Sequence, residues 1–584
     1  MSRLRPPSSS EHGRKITAAL AATVAAVVGA TTVAVVGGLT GQAGAAGATL
    51  VVNVGSNLRP VTHLAAGGLY GLAENNKPAD SLLLPLKVNT LTQPAPGVQQ
   101  KPNGQAAGGD SLLVSPQATR VGAAEYVRMP DIYPDFPYKW VSWSDWNSKV
   151  DTMVNARLAA TAVSNVRGWE LWNEPDWTWN TASAGSFNAG WVTTFNRVRA
   201  KDTITPIVGP SISTWNASFM QSFLTYAKAN NALPNIVSWH ELSGSANIAA
   251  DIAAYRAMET SLGITARPIS INEYATTAEI NATGQLASYI AKFERGGVHD
   301  AERAFWYEYG TMDGLVVPNT TNTTGAYWLY KWYGDMAGNM VTTTPPSQTS
   351  IDGFAAYDPT RKIVNIAVGN ASGTNSVQVN GISALGSSVK VTLESTPTSA
   401  RTTTVSAPTT ISSTTATVSG GSVTVSVPSM VSTSAYHIVI QPTSGVATYQ
   451  QRYEAENAAV FGANRLTSSS ASAGGYVGQI DNTGDVRNDS YVDFVVNVPS
   501  AKSYTMTIGY ANASGATATQ GLAYNGGAWS TISYPTTSAW GTFGATVSTT
   551  VSLNAGYNVI RLAKGAPYFA GGTNYAELDY IQLT

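Results

Sequence analysis

The sequence predicts a multidomain chain: a (β/α)8 TIM barrel, then a β-sandwich, then a second, jelly-roll β-sandwich at the C-terminus. Three observations predict it. At roughly 150 residues per domain, a length of 584 residues calls for about three or four domains. From about residue 60 to 338, short apolar runs alternate with amphipathic stretches, the pattern of βα repeats around a parallel sheet. Beyond about 340 the helical period vanishes and Val/Thr/Ser alternation replaces it, broken by Asn, Gly and Pro.

The elements follow in chain order. Arg3, Arg5, Arg14 and Lys15 stand against Glu11 and precede an uncharged run from Ile16 to Leu39, with small-residue sites at 43–45 and 46–48. That is the layout of a cleaved secretory signal peptide, so residues 1–48 are expected to be a leader and the mature chain to be secreted and extracellular. No later segment has 18 consecutive apolar residues, so no membrane association is expected after cleavage. The barrel is assigned to 49–340. Its candidate strands are 61–70, 87–93, 123–130, 167–173, 206–213, 235–241, 267–273 and 303–309, eight in a stretch of the size such barrels take. Helices are expected between them: Trp146, Val150, Val154 and Leu158 recur every four residues over 143–160 behind a Ser142 or Ser144 cap, and Phe219, Phe223 and Ala227 do so over 217–230. The Pro/Gly/Gln-rich stretch 94–120 reads as a long loop. Residues 341–446 form the first β-sandwich, a short hinge follows near 442–446, and 451–584 form the second.

Composition excludes several function classes. Charged residues make up 12%, about half the usual share, and a net charge of −1 lacks the basic excess that offsets phosphates, so no nucleic-acid partner is expected. The absence of Cys removes disulfides, thiol catalysis and Cys-based zinc. His63, His240, His299 and His437 form no HExxH or close pair, and no GxSxG elbow appears, so catalytic zinc and Ser-His-Asp chemistry lack support.

In such a barrel the chemistry sits at the C-terminal ends of the strands. The fourth strand runs into Trp172-Asn173-Glu174-Pro175 and the seventh into Ile271-Asn272-Glu273-Tyr274. Strands four and seven can bring their ends together across the mouth. Two carboxyl groups about 5–5.5 Å apart are what retaining glycoside hydrolysis needs, one as acid/base and one as nucleophile. These motifs resemble those of clan A retaining glycoside hydrolases, most closely family 39, over roughly residues 60–340. The resemblance implies Glu174 as general acid/base, Glu273 as nucleophile, and Asn173 as the hydrogen-bonding partner of the sugar 2-hydroxyl. It also implies a substrate contact for His240 and an aromatic platform from Trp306. Glu308 reads either as a subsite contact or as a salt-bridge residue, and Arg128 either orients a carboxylate or binds substrate. Glu241 stands where many relatives carry a small residue before a Tyr, which leaves Tyr274 or Tyr307 to supply the hydroxyl partner of the nucleophile.

The C-terminal segment carries Tyr453-Glu454-Ala455-Glu456, Gly474-Gly475-Tyr476-Val477-Gly478 and Glu577-Leu578-Asp579. Together these resemble a carbohydrate-binding module of family 35, or its relative family 6. The resemblance implies structural calcium held by Glu454, Glu456 and Asp579. Sugar recognition needs an aromatic face and a few polar groups, for which Tyr476, Trp540, Tyr568 and Asn574 are candidates, with Trp529 and Tyr524 as alternatives. The expected function is secreted retaining hydrolysis of plant cell-wall polysaccharide or its side chains, of arabinogalactan, arabinan, xylan or mannan type. No catalytic cofactor is expected, the partner is the glycan, and the chain is expected to be a monomer. The alternative is a non-catalytic glycan-binding or adhesion protein built on a degenerate barrel.

Overall fold

The computed structural model describes residues 47–97, 108–443, 451–480, 489–498 and 500–584. The expected leader, the middle of the 94–120 segment and most of the hinge lie outside the described residues.

The first strand corrects the domain boundary. β1 (Thr49–Pro60), assigned from sequence to the barrel, pairs with strands more than 270 residues away and belongs to the first β-sandwich. The barrel itself closes from eight parallel strands: β2 (Gly67–Leu69), β3 (Thr90–Pro94), β4 (Ala124–Arg128), β5 (Val166–Glu170), β6 (Ile207–Ile212), β7 (Ile236–Glu241), β8 (Ile269–Tyr274) and β9 (Asp300–Arg303). All eight expected strands are present, but the last ends early. Tyr274, the final residue of β8, is in register with Arg303, so no ladder remains for the aromatic run beyond it to join. Phe305 to Tyr309 therefore form the loop at the barrel mouth instead of the strand expected over 303–309.

The helices obey their caps and stripes. In Trp143–Ala159 the Ser142 side chain accepts from Asp145 N, and Trp146, Val150, Met153 and Val154 are buried, while Leu158 is exposed at the helix end. Part of the expected loop at 94–120 is helical. Asp110 caps Ser111–Val121 by accepting from the amides of Leu112 and Leu113, Gly122 ends it at φ 83°, and Val114, Ala118 and Val121 bury one face. Pro116 within that helix masked it in the sequence.

Helix Thr283–Gly296 is buried nearly all round because it packs between the barrel and the first β-sandwich. It is tied to the latter by Arg295, whose guanidinium meets both carboxylate oxygens of Asp352 at 2.8 Å. That sandwich is one nine-stranded sheet: β10 (Asn339–Thr344), β11 (Asp352–Asp358), β12 (Ile363–Gly369), β13 (Gly373–Asn380), β14 (Ser388–Thr396), β15 (Thr409–Thr417), β16 (Ser422–Met430) and β17 (Ala435–Pro442) join β1 in the order β15-β14-β17-β12-β11-β10-β1-β13-β16. Its inward residues, from Val389 at one end to Val425 at the other, share one core, so the sheet is folded over on itself. Phe354, Ala356 and Ala367 on the outer face join the barrel core. The C-terminal domain stacks a six-stranded on a five-stranded antiparallel sheet around its own core, including Val477, Phe494, Met506, Ile560 and Ile581.

Candidate active site

Strand alternation decides which side chains reach the mouth. On β7, His240 points inward while Trp239 and Glu241 point out, and the Trp239 indole donates to Glu241 at 2.7 Å. On β8, Glu273 points inward and Tyr274 outward, where it packs against Tyr289 and Phe293 and donates to the carbonyl of Ala65 at 2.8 Å. Tyr274 is thus a core residue and not the site residue expected from sequence.

Glu174 lies just past β5 with left-handed backbone, φ 50° and ψ 52°, its amide anchored at 2.8 Å on the carbonyl of Ser211. A non-glycine residue in that region costs about 1–2 kcal/mol. The turn aims the carboxyl across the mouth: one oxygen of Glu174, one oxygen of Glu273 and a ring nitrogen of His240 all lie within 4.8 Å of one another. His240 Nδ1 is 3.2 Å from Glu174 and Nε2 is 3.7 Å from Glu273. Burial works against an imidazolium there, but Glu273 and Glu174 outweigh it and hold His240 above the ordinary histidine value.

The partner of Glu273 is Arg128, at 2.6 Å, and neither Tyr274 nor Tyr307. Arg128 also forks onto Glu170 at 2.7 and 3.2 Å, and Asn272 donates to Glu170 at 2.6 Å. Arg128 is 1% exposed and Glu170 0%, so this is a desolvated ion triad with one arginine between two carboxylates. Burial opposes its charge, and the carboxylates of Glu170 and Glu273 reverse the balance, raising Arg128 well above its ordinary value. Trp306 is half-buried beside the site, its indole donating to the carbonyl of Ala275 at 3.1 Å. Glu308 is turned to the surface, 3.8 Å from Arg401 and 3.4 Å from Asn319.

Several site residues carried no motif. Trp177, 53% exposed, donates to Glu174 at 2.9 Å; it lies three positions past Glu174, a spacing that a helical turn after Pro175 brings round. Asp131 accepts from Tyr70 and Tyr138, and burial pushes its carboxyl up to about 7. Asp313 is buried with both carboxyl oxygens lacking a hydrogen-bond partner. Burial, with Glu273 adding repulsion and Arg303 opposing, raises it well above the ordinary carboxyl value. A Cβ on Gly68 would sit 2.8 Å from Asp313 Oδ2, which is why β2 carries glycine at that point.

In the C-terminal domain Tyr476 lies against Phe543, and Trp540 is 44% exposed next to Gly541, whose amide donates to Glu577. Tyr568 instead packs on Phe461 and Tyr491, and Asn574 donates to the carbonyl of Thr517. The four expected sugar-contact residues therefore divide between separate packing groups. Trp529, partly exposed, pairs with Phe569. Ser472 donates to Glu454 and to Asp579, at 2.8 and 2.9 Å, while the second oxygens of Glu454 and Glu456 are buried with no hydrogen-bond partner. Burial and mutual repulsion push Glu456 up to about 7 and Asp579 to about 6. Unsatisfied hard oxygens of this kind suit a calcium ion.

A structure of N2152 from Neocallimastix frontalis is 33% identical to this chain, aligned over 68% of it and all of that protein, with a TM-score of 0.65. The chain belongs to the same family as N2152. Residues 451–583 match the carbohydrate-binding module of family 35, so the expected C-terminal module is present. A GH39 enzyme from Xanthomonas axonopodis pv. citri shares the fold, with a TM-score of 0.50 at 16% identity over 70% of this chain and all of that one. A curated relative from Bifidobacterium longum subsp. longum, a 3-O-alpha-D-galactosyl-alpha-L-arabinofuranosidase, is 27% identical over 62% of this chain and 37% of its own length. The chain spans about two fifths of the length of that relative.

Proposed function

We propose that the chain is a secreted retaining glycoside hydrolase that cleaves α-L-arabinofuranosidic side chains of plant-type polysaccharides. The observation that carries the reading is the placement of one oxygen of Glu174 and one of Glu273 within 4.8 Å of each other at the barrel mouth. Retaining enzymes hold their carboxyl groups about 5–5.5 Å apart, whereas inverting ones leave about 6.5–9.5 Å for a water. The name of the Bifidobacterium relative supports an arabinofuranoside as the sugar, and the family 35 module supports a polymeric substrate.

In this mechanism Glu273, steered by Arg128, attacks the anomeric carbon, and Glu174 protonates the departing oxygen. A glycosyl ester of Glu273 results. Glu174 then takes a proton from water as the water displaces Glu273, which restores the original anomeric configuration. The cationic tendency of His240 offsets the paired carboxylates, while Trp177 holds Glu174 from the solvent side. Calcium at Glu454, Glu456 and Asp579 would bind the first strand of the module to its last. Module and barrel act as a monomer, and tethering raises the local substrate concentration without altering the chemistry.

The test is the NMR spectrum of the first-formed sugar from a 4-nitrophenyl α-L-arabinofuranoside and from arabinogalactan. The α-anomer is expected to appear first; the β-anomer as first product, or no release from any arabinofuranoside, would overturn the proposal.

A further inference from the structure

Asn173 is 3% exposed and its Oδ1 is buried without a hydrogen-bond partner, although it stands directly before Glu174 in the site. Its Nδ2 donates to the Tyr138 hydroxyl at 3.3 Å. Tyr138 in turn donates to Asp131 Oδ1 at 2.9 Å, and Tyr70 donates to Asp131 Oδ2. Asp131 is fully buried, on the short turn Met129–Ile132 that follows β4.

This chain has only one consistent direction when Asp131 is ionised. A carboxylate only accepts, so both tyrosines spend their single hydroxyl proton on it. Tyr138 is left with lone pairs alone, and only the NH2 end of the Asn173 amide can face it. The amide orientation is thereby fixed by its neighbours.

We propose that Asp131, acting through Tyr138, is a positioning residue that locks the Asn173 amide with its oxygen toward the substrate. Asn173 then serves as an acceptor for the sugar hydroxyl flanking the anomeric carbon. This rests on the glycosidase reading above and adds to it the polarity of one substrate contact. Without the lock the amide can turn over in its socket, since its two ends are nearly isosteric, and a donor then replaces the acceptor for the proton of the sugar hydroxyl. The charged and titratable groups around Asp131 are Arg128, Glu170, Tyr70, Tyr138 and Tyr309. Of these, Arg128 lies over the Tyr70 ring at 5.8 Å and favours the ionised form.

The experiment compares kcat/KM, at pH 8, for a 4-nitrophenyl α-L-arabinofuranoside and for the same compound lacking its 2-hydroxyl. Three full-length proteins are assayed: the wild type, Tyr138→Phe and Asp131→Asn. In Asp131→Asn the new amide can donate to Tyr138, freeing the tyrosine proton to turn the Asn173 amide round. The wild type is expected to prefer the hydroxylated substrate by about 5–150-fold, the cost of roughly 1–3 kcal/mol for leaving the buried Asn173 acceptor unsatisfied. Both variants are expected to lose most of that preference while cleaving the 2-deoxy compound within about threefold of wild type. A merely structural role would slow both substrates by the same factor in both variants and leave the ratio unchanged, which would overturn the proposal. A wild type inactive on both substrates and on arabinogalactan would overturn the arabinofuranosidase reading, and this inference with it.

Discussion

Replacing Arg128 by Met strands Glu170 as a buried carboxylate without a counter-charge and leaves Glu273 only the more distant His240, at 3.7 Å. Arg128 makes three close contacts, 2.7 and 3.2 Å to Glu170 and 2.6 Å to Glu273, and Glu170 retains only Asn272 at 2.6 Å once the guanidinium is gone. Removing one partner of a buried ion pair costs about 3–5 kcal/mol, mostly the penalty of the stranded charge. For a domain of this size each kcal/mol moves the midpoint by roughly 2–3 °C, so the barrel transition in calorimetry should fall by about 6–15 °C. Activity should fall as well, by about 10–100-fold, because Glu273 loses a charge-assisted hydrogen bond of roughly 1.5–3 kcal/mol that orients it. The pair Arg128→Met with Glu170→Gln separates the two effects. Removing the stranded charge of Glu170 should return at least half of the lost stability while leaving activity low. A midpoint within 1 °C of wild type for Arg128→Met, or no recovery in the double variant, would refute the reasoning.

Glu241 is pushed up to about 8 by burial and lies on the outer face of β7, away from the chemistry. Its folded value exceeds its unfolded one, so it favours folding below about pH 4.5 and that contribution is lost as pH rises through about 8; Glu241→Gln should flatten the stability profile over that window, as measured by urea titration at pH 5 and pH 8. Trp177→Phe removes the 2.9 Å donor to Glu174, and kcat should drop about 3–10-fold with little change in midpoint temperature. Calcium is expected to raise the unfolding temperature of the C-terminal module in the full chain. Its affinity should weaken as pH falls through the region of 7 to 6, where Glu456 and Asp579 take up protons; calorimetry with calcium and with EDTA at pH 7.5 and 5.5 checks both.

The motif residues were legible because they follow from local order: a strand, then Asn-Glu, at the fourth and seventh positions of an eightfold repeat. The outward face of Tyr274 was legible from strand alternation beside inward Glu273, although an irregularity between Ile271 and Tyr274 turns Asn272 inward as well. The early end of β9 was not, because the aromatic run Phe305 to Tyr309 has strand propensity and only the missing ladder partner stops it. β1 was assigned to the wrong domain because its partners, Val341 and Val379 among them, lie hundreds of residues away. The supporting shell of Glu170, Asp131, Tyr138 and Asp313 has no spacing signature at all. Those residues meet only after the barrel closes, and each is recognisable by burial and hydrogen-bond partners alone.

The division of labour between the two glutamates is tested most directly by azide rescue of Glu273→Ala and Glu174→Ala on an activated aryl arabinofuranoside, with the anomeric configuration of the glycosyl azide read by NMR. Glu273→Ala should give the inverted azide, because azide enters the space the nucleophile vacated. Glu174→Ala should give the retained azide, because azide there attacks the ester on Glu273. Swapped configurations, or rescue of neither variant, would contradict the assignment.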